Sequence, residues 1–121
     1  MKCDLQAHYS IIGILIMRKA KVFVRGIEAG ILSEVKQGAE YIFEYNEGYS
    51  GLEVSRTMLT SQKKYIYDKF PPFFEGLLPE GIQLEGLLKL NKIDGNDLFS
   101  QLIAVGEDVV GAVTVKAIVN E

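Results

Sequence analysis

The chain has no tryptophan, one cysteine, one histidine and only three prolines in 121 residues. Each scarcity removes a class of function. Cys3 has no second cysteine to pair with, so no internal disulfide forms and the chain suits a reducing, cytoplasmic setting. Structural zinc is usually held by four Cys or His ligands, and Cys3 with His8 falls short of that. The same two residues leave no Ser/His or Cys/His couple for nucleophilic catalysis. Neither GxxxxGK[ST] nor GxGxxG occurs, and Gly26, Gly30 and Gly38 are spaced as turns or close approaches, not as a phosphate cradle. Basic excess is missing too: thirteen Lys and Arg stand against sixteen Asp and Glu, a net charge of -3. Nucleic-acid surfaces usually carry the opposite balance. The longest apolar run, Ile11 to Ile16 interrupted by Gly13, is far shorter than the roughly twenty residues a spanning helix needs. It also lacks the small-residue cleavage pattern of a signal peptide.

What remains is the composition of a soluble single domain, 48% hydrophobic and 24% charged. Residues 1–16 read as an accessory N-terminal tail or upstream-start extension, since Met17-Arg18-Lys19 looks like a natural beginning. A rival reading makes the Ile-rich run an added strand of the sheet. The domain proper then covers 17–121.

Within it, Ala20 to Arg25 alternates as a half-buried strand, with Val22 and Val24 on one face and Phe23 on the other. Gly26 turns the chain, and Ile27 to Leu32 returns with Gly30 as a bulge or close approach. Gln37-Gly38 is a second turn, and Glu40 to Tyr45 is a third strand whose Tyr41 and Tyr45 share a face. Val54 and Met58-Leu59 suggest a short strand, and Lys64 to Tyr67 another. Pro72 suits the first turn of a short helix through Phe73, Phe74 and Leu77, stopped by Pro79. Ile82, Leu84, Leu87 and Leu88 then recur at helical spacing to about Leu90. Asp94 to Asp97 caps a further helix ending at Gly106, and Gly111 to Ile118 alternates as a closing strand. The predicted fold is α+β: a small antiparallel sheet, an N-terminal β-meander plus a C-terminal strand, packed with two to three short helices.

All three prolines fall between Phe70 and Gly81, in the segment FPPFFEGLLPEG. Proline fixes φ and removes a donor, so this segment holds a shape and is not the middle of a strand. Its apolar load suits either a core or a surface awaiting a partner. Phe73, Phe74, Leu77 and Leu78 admit both readings. Glu75, Glu80 and Gln83 are the better candidates for polar contacts. Glu75 with Glu80, or Glu107 with Asp108, could be drawn as an acid–base pair, but solvated loop carboxylates are the ordinary reading.

On Phe73-Phe74-Glu75-Gly76-Leu77-Leu78-Pro79-Glu80-Gly81 the chain resembles the N-terminal subdomain of HipA-type serine/threonine kinases, the toxins of bacterial toxin–antitoxin systems. Met17 to Phe23 with Gly26 and Gly30 is similar to that family's opening hairpin, and Tyr41 to Tyr45 to its third strand. Asp94 to Phe99 and Gly106 to Ala112 are similar to its capped helix and closing strand. The resemblance implies that kinase machinery lies outside such a subdomain, so it argues for a binding protein and not an enzyme, with no cofactor. A free-standing copy is similar to the HipS-like proteins of tripartite HipBST systems. The resemblance implies an antitoxin that binds and inhibits a HipT-like serine/threonine kinase, with a HipB-like helix-turn-helix protein making the DNA contact. The alternative it leaves open is a non-inhibitory module bridging those two partners. The interface candidates are Phe73, Phe74, Glu75, Leu77, Leu78, Pro79, Glu80, Ile82 and Gln83. Relatives often carry tryptophan where this chain has Ile82, which offers a smaller apolar contact.

Overall fold

Alternation along the first strand sets the sheet: Ala20, Val22 and Val24 are buried while Lys19 and Lys21 face solvent. The structure, a computed structural model, describes residues 18–106 and 112–118. The readings made on residues 1–17, including Cys3 and His8, and on Glu107 and Asp108, lie outside the described residues. Strand β1 (Arg18–Val24) turns through Arg25 and Gly26, both at positive φ (52° and 82°), into β2 (Ile27–Lys36). That pair of dihedrals is the tight-hairpin geometry that matches strand twist. After a second turn at Gly38 come β3 (Glu40–Tyr45) and, beyond a long loop, β4 (Lys64–Tyr67). The helices α1 (Pro72–Glu75), α2 (Gly81–Asn91) and α3 (Leu98–Val105) follow, and β5 (Val113–Ala117) closes the chain. The sheet order is β4-β3-β2-β1-β5 and each neighbouring pair is antiparallel. This is the expected α+β class.

The inner face carries Val22, Val24, Ala29, Leu32, Phe43, Tyr45, Val113 and Val115, packed with Phe74, Phe99 and Leu102 from the helices. Each fully buried Phe or Leu contributes about 1.5–3 kcal/mol. Two glycines make the layering possible by lacking a side chain. A Cβ on Gly30 would lie 2.4 Å from the Glu44 carbonyl oxygen and 2.9 Å from the Phe43 ring. The β1–β2 register also shifts between Val22 and Phe23, opposite this point, so close approach and bulge coincide. At Gly106 a Cβ would lie 2.3 Å from the Val115 carbonyl oxygen, and the Gly106 carbonyl accepts from Val115 N at 2.9 Å. Gly106 therefore ends α3 in right-handed geometry (φ -57°), not in the left-handed form common for a glycine that closes a helix. Contact with β5, not freedom of φ, is what that position requires.

Two further expectations change. Strand β2 runs four residues past Leu32, because Glu34 turns inward and finds partners there. Val54 and Met58-Leu59 form no strand: Ser55 and Met58 make an isolated bridge around a turn. Val54 and Met58 are nonetheless buried, pinned by the Tyr45 hydroxyl, which donates to the Met58 carbonyl and accepts from Val54 N at 2.9 Å.

Arg18 ties sheet to helix. Its Nε donates to Glu34 Oε1 at 2.6 Å, and its terminal nitrogens donate to both Asp97 carboxylate oxygens at 2.8 and 3.1 Å and to Ser100 Oγ at 2.7 Å. The guanidinium also lies 5.0 Å from the Phe99 ring centre. Asp97 caps α3 by accepting from Ser100 N at 3.1 Å. Partial burial alone would raise the Asp97 pKa, but the hydrogen bonds from Arg18 and Ser100 outweigh it and hold the carboxyl below the usual aspartate range. No helix among the described residues is long and apolar enough to cross a membrane, and no group of three His, Cys, Asp or Glu is placed to hold a metal.

A carboxylate with a depressed folded-state pKa stabilises the fold above its unfolded pKa, and that stability is lost as pH falls through the folded value. Urea midpoints should therefore decline below about pH 4, and Asp97→Asn should lower the neutral-pH midpoint while flattening this acid limb. Arg18→Met, which leaves Glu34 buried without its cation, should cost roughly 2–3 kcal/mol, below the range for fully buried pairs because Arg18 is about one-third exposed. Gly30→Ala and Gly106→Ala should each cost about 1–3 kcal/mol or more, since backbone atoms block the added methyl. Thermal unfolding of the purified variants reads all three.

Candidate docking site

The proline segment is half anchor and half display. Phe70, Pro71 and Phe74 are buried. Phe70 packs edge-on to Tyr41 with ring centres 5.3 Å apart, and Phe74 sits 6.1 Å from Phe43 and 5.2 Å from Phe73. Pro72 occupies the first helical position of α1, where its missing N–H costs nothing. Glu75 N and Gly76 N bond back to the Pro71 and Pro72 carbonyls, and Leu77 N and Leu78 N to Phe74 and Glu75, so turns continue until Pro79 ends the series. Glu80 is extended (φ -130°, ψ 163°) and Gly81 enters α2 at φ +61°, a conformation that favours glycine.

The nine residues singled out in the sequence separate on this frame. Phe74 is fully buried and takes the packing role, out of reach of any partner. Phe73, Leu77, Leu78 and Pro79 are half-buried, the first three against the core. Glu75, Glu80 and Gln83 are exposed, and Ile82 stands 86% exposed immediately after the turn. A shallow cleft of about 160 Å³ lies between this turn and α3, lined by Leu78, Pro79, Leu84 and Leu98 together with Glu75, Glu80 and Gln101. Its lining mixes apolar side chains with two carboxylates and the Gln101 amide.

Helix α2 lies where the sequence predicted a helix, but its outer side was not foreseen as uncovered. Its eleven residues include Ile82, Leu84, Leu87, Leu88 and Leu90, yet none of its residues is buried. Leu84, Leu87 and Leu88 lean toward the domain half-covered, while Leu90 is as exposed as Ile82, at 86%. The helix ends on Lys92 in left-handed geometry, with the Lys92 and Ile93 amides both returning to the Leu88 carbonyl. The signal was present in the sequence: Ile82 and Leu90 lie eight residues apart, on the helix side opposite Leu84 and Leu88.

Comparison with known proteins agrees with this architecture. A family model described as HipA N-terminal domain matches residues 20–116. An uncharacterized protein of Haemophilus influenzae strain Rd is 33% identical over 101 residues, covering 84% of this chain and 93% of that protein. A solved structure described as the N-terminal domain of HipA toxin superposes with a TM-score of 0.67 at 29% identity, covering 86% of this chain and 95% of the other. With the family model spanning the sheet, the proline-anchored turn and all three helices, the chain belongs to the HipA N-terminal domain family.

Proposed function

We propose that this chain is an antitoxin-type inhibitor that binds a HipT-like serine/threonine kinase and suppresses its activity. It acts as a binding protein in the cytoplasm, without a cofactor and without contacting nucleic acid or membrane itself. DNA contact falls to a HipB-like subunit of the same complex. The observation that carries the reading is the turn at Leu78 to Ile82. Buried Pro71 and Phe74 fix its base, and it projects an 86% exposed isoleucine beside acidic Glu75 and Glu80. An apolar anchor on a pre-ordered turn loses little entropy on association, which is how binding surfaces concentrate affinity. Membership in a family whose matched structure is the N-terminal domain of a toxin supports a toxin-related partner.

Inhibition follows if the domain binds an inactive conformation of the kinase better than an active one. Suppression by a hundredfold needs a difference of about 2.7 kcal/mol between the two affinities. On the family resemblance, Ile82 presents a smaller wedge than an aromatic residue would, so the surrounding surface carries a larger share of the contact.

Adding one equivalent of the chain to the cognate short kinase should cut autophosphorylation and substrate phosphorylation at least tenfold, with both proteins co-eluting in gel filtration. Glu75→Lys combined with Glu80→Lys should restore phosphorylation. Full kinase activity within a stable complex of the parent chain would sink the inhibitor reading in favour of an assembly module bridging the kinase and the HipB-like subunit. Absence of any complex would remove the kinase as partner.

A further inference from the structure

Strand β4 lies at one end of the sheet, and among the described residues β3 is the only strand that pairs with it. The Tyr45 amide donates to the Lys63 carbonyl at 2.8 Å, so Tyr45 and Lys63 form a hydrogen-bonded pair. Such pairs alternate along an antiparallel ladder, so Tyr65 and Tyr67 also turn their N–H and C=O toward β3. Lys64 and Ile66 turn theirs outward, and Asp68 continues that parity just beyond the strand. The Gln62 side-chain amide donates to the Lys64 carbonyl at 2.8 Å, as an outward carbonyl allows. The outward N–H and C=O of Ile66 have no partner among the described residues. Open edges are commonly blunted by proline, by a bulge or by charge. Here the strand holds no proline and its register with β3 is unbroken. The guarding charge is present as Lys64, but Asp68 four residues on supplies its opposite.

We infer that β4 is a self-pairing edge: two copies of this chain join antiparallel across it, about a two-fold axis at Ile66, and their sheets become continuous. The strand's own register selects this occupant. A two-fold pair can centre on Lys64, Tyr65, Ile66 or Tyr67 within the strand. Centring on Lys64 sets two lysines together. Centring on Tyr65 or Tyr67 sets Ile66 against Lys64 or Asp68 of the other copy. Centring on Ile66 sets isoleucine against isoleucine, and on either side of the axis it sets Lys64 against Asp68 and Tyr65 against Tyr67. Ile66 is 65% exposed and lies across from half-buried Ile42 of β3, so the pairing makes one apolar row of these residues from both copies. Lys64, already opposite Glu44, then stands between two carboxylates. Lys63 falls opposite Lys69 only beyond the paired stretch, where Glu47 engages Lys63 and the chain past Asp68 turns in to bury Phe70. Apolar, aromatic and unlike-charge pairs facing across strands are each favourable. An interface of one short strand is well below the area of a stable dimer, so the association is weak and depends on concentration. It uses none of the residues on which the kinase-binding reading rests.

The test is sedimentation equilibrium of the full chain from about 20 μM to about 1 mM, the range in which a weak pair dissociates, with amide hydrogen exchange at both ends. The parent should pass from monomer to dimer. Protection of the Ile66 amide should rise roughly fivefold with concentration, while the Tyr65 amide, bonded to β3 in either state, should not change. Ile66→Lys, at an exposed position, should keep the parent's circular dichroism and stay monomeric throughout. Lys64→Glu and Asp68→Lys should each weaken the dimer roughly fivefold or more, and the two together should restore it to within about twofold of the parent. A parent chain that is still monomeric at about 1 mM would overturn the inference, as would a dimer indifferent to Ile66→Lys. Failure of the double exchange to restore association would overturn the Ile66 register. Protection of the Ile66 amide at every concentration would show the edge to be covered already within one chain, and would overturn the self-pairing as well.

Discussion

The geometry of this domain depends on what Arg18 does with Glu34. Glu34 projects from β2 into the packed layer, 4% exposed, where an unmatched carboxylate would cost several kcal/mol. Arg18, across the β1–β2 pair from it, supplies the countercharge, and the Tyr41 hydroxyl donates to the second carboxylate oxygen at 3.0 Å. Having entered the layer to meet Glu34, the guanidinium also meets Asp97 and Ser100 and lies by the ring of Phe99. One cation thus joins two strands to the first turn of α3, and the residue it grips there is that helix's own cap. The start of α3 is thereby located over the beginning of β1, and its last residue, Gly106, meets β5 through the bond from Val115 N.

The two longer helices stand in contrast. Helix α3 has eight residues and buries three of them, Phe99, Gln101 and Leu102. Even the amide of Gln101 is used, donating to the carbonyls of Asp94 and Gly95 at 3.3 and 3.0 Å. Helix α2 is longer, carries more large aliphatics and buries none. Propensity does not separate them; position does. Arg18 and the Gly106 contact press α3 onto the sheet, whereas α2 rests on α3 and on the preceding turn, one layer further out. A helix apolar on both sides leaves one of them facing water here, with Ile82 and Leu90 exposed.

Much of this was legible from the residues, and the exceptions share a cause. The strands announced themselves where burial follows alternation, as in Val22 and Val24 against Lys21. The reading faltered at Glu34, because an inward carboxylate breaks the pattern and its partners lie seven and sixteen residues away in sequence. It faltered again between residues 49 and 61, where burial of Val54 and Met58 depends on the Tyr45 hydroxyl and not on any local period. The proline segment was identified as shape-holding, but its division into buried Phe74 and exposed Ile82 required the core to be in place. Leu90 was read only as the end of a helix for the complementary reason: a hydrophobic period marks which residues share a helix face, and only the packed structure tells which face is left uncovered.

Rigidity and looseness are unevenly placed between the proline segment and α2. From Phe70 to Pro79 the chain is held by buried rings, by two fixed proline dihedrals next to one another and by successive turn hydrogen bonds. The entropy of ordering that turn has been lost in folding, so binding does not lose it a second time. Beyond Gly81 the restraints thin out, and α2 is held only by half-buried contacts on its inner side. Elements so held are the first to adjust within a folded domain. Helix α2 therefore has its starting point fixed by the turn, while its far end, at Leu90, is more loosely held. On the binding function proposed above, the fixed end suits affinity and the freer end adaptation, a division that the proline anchor makes possible.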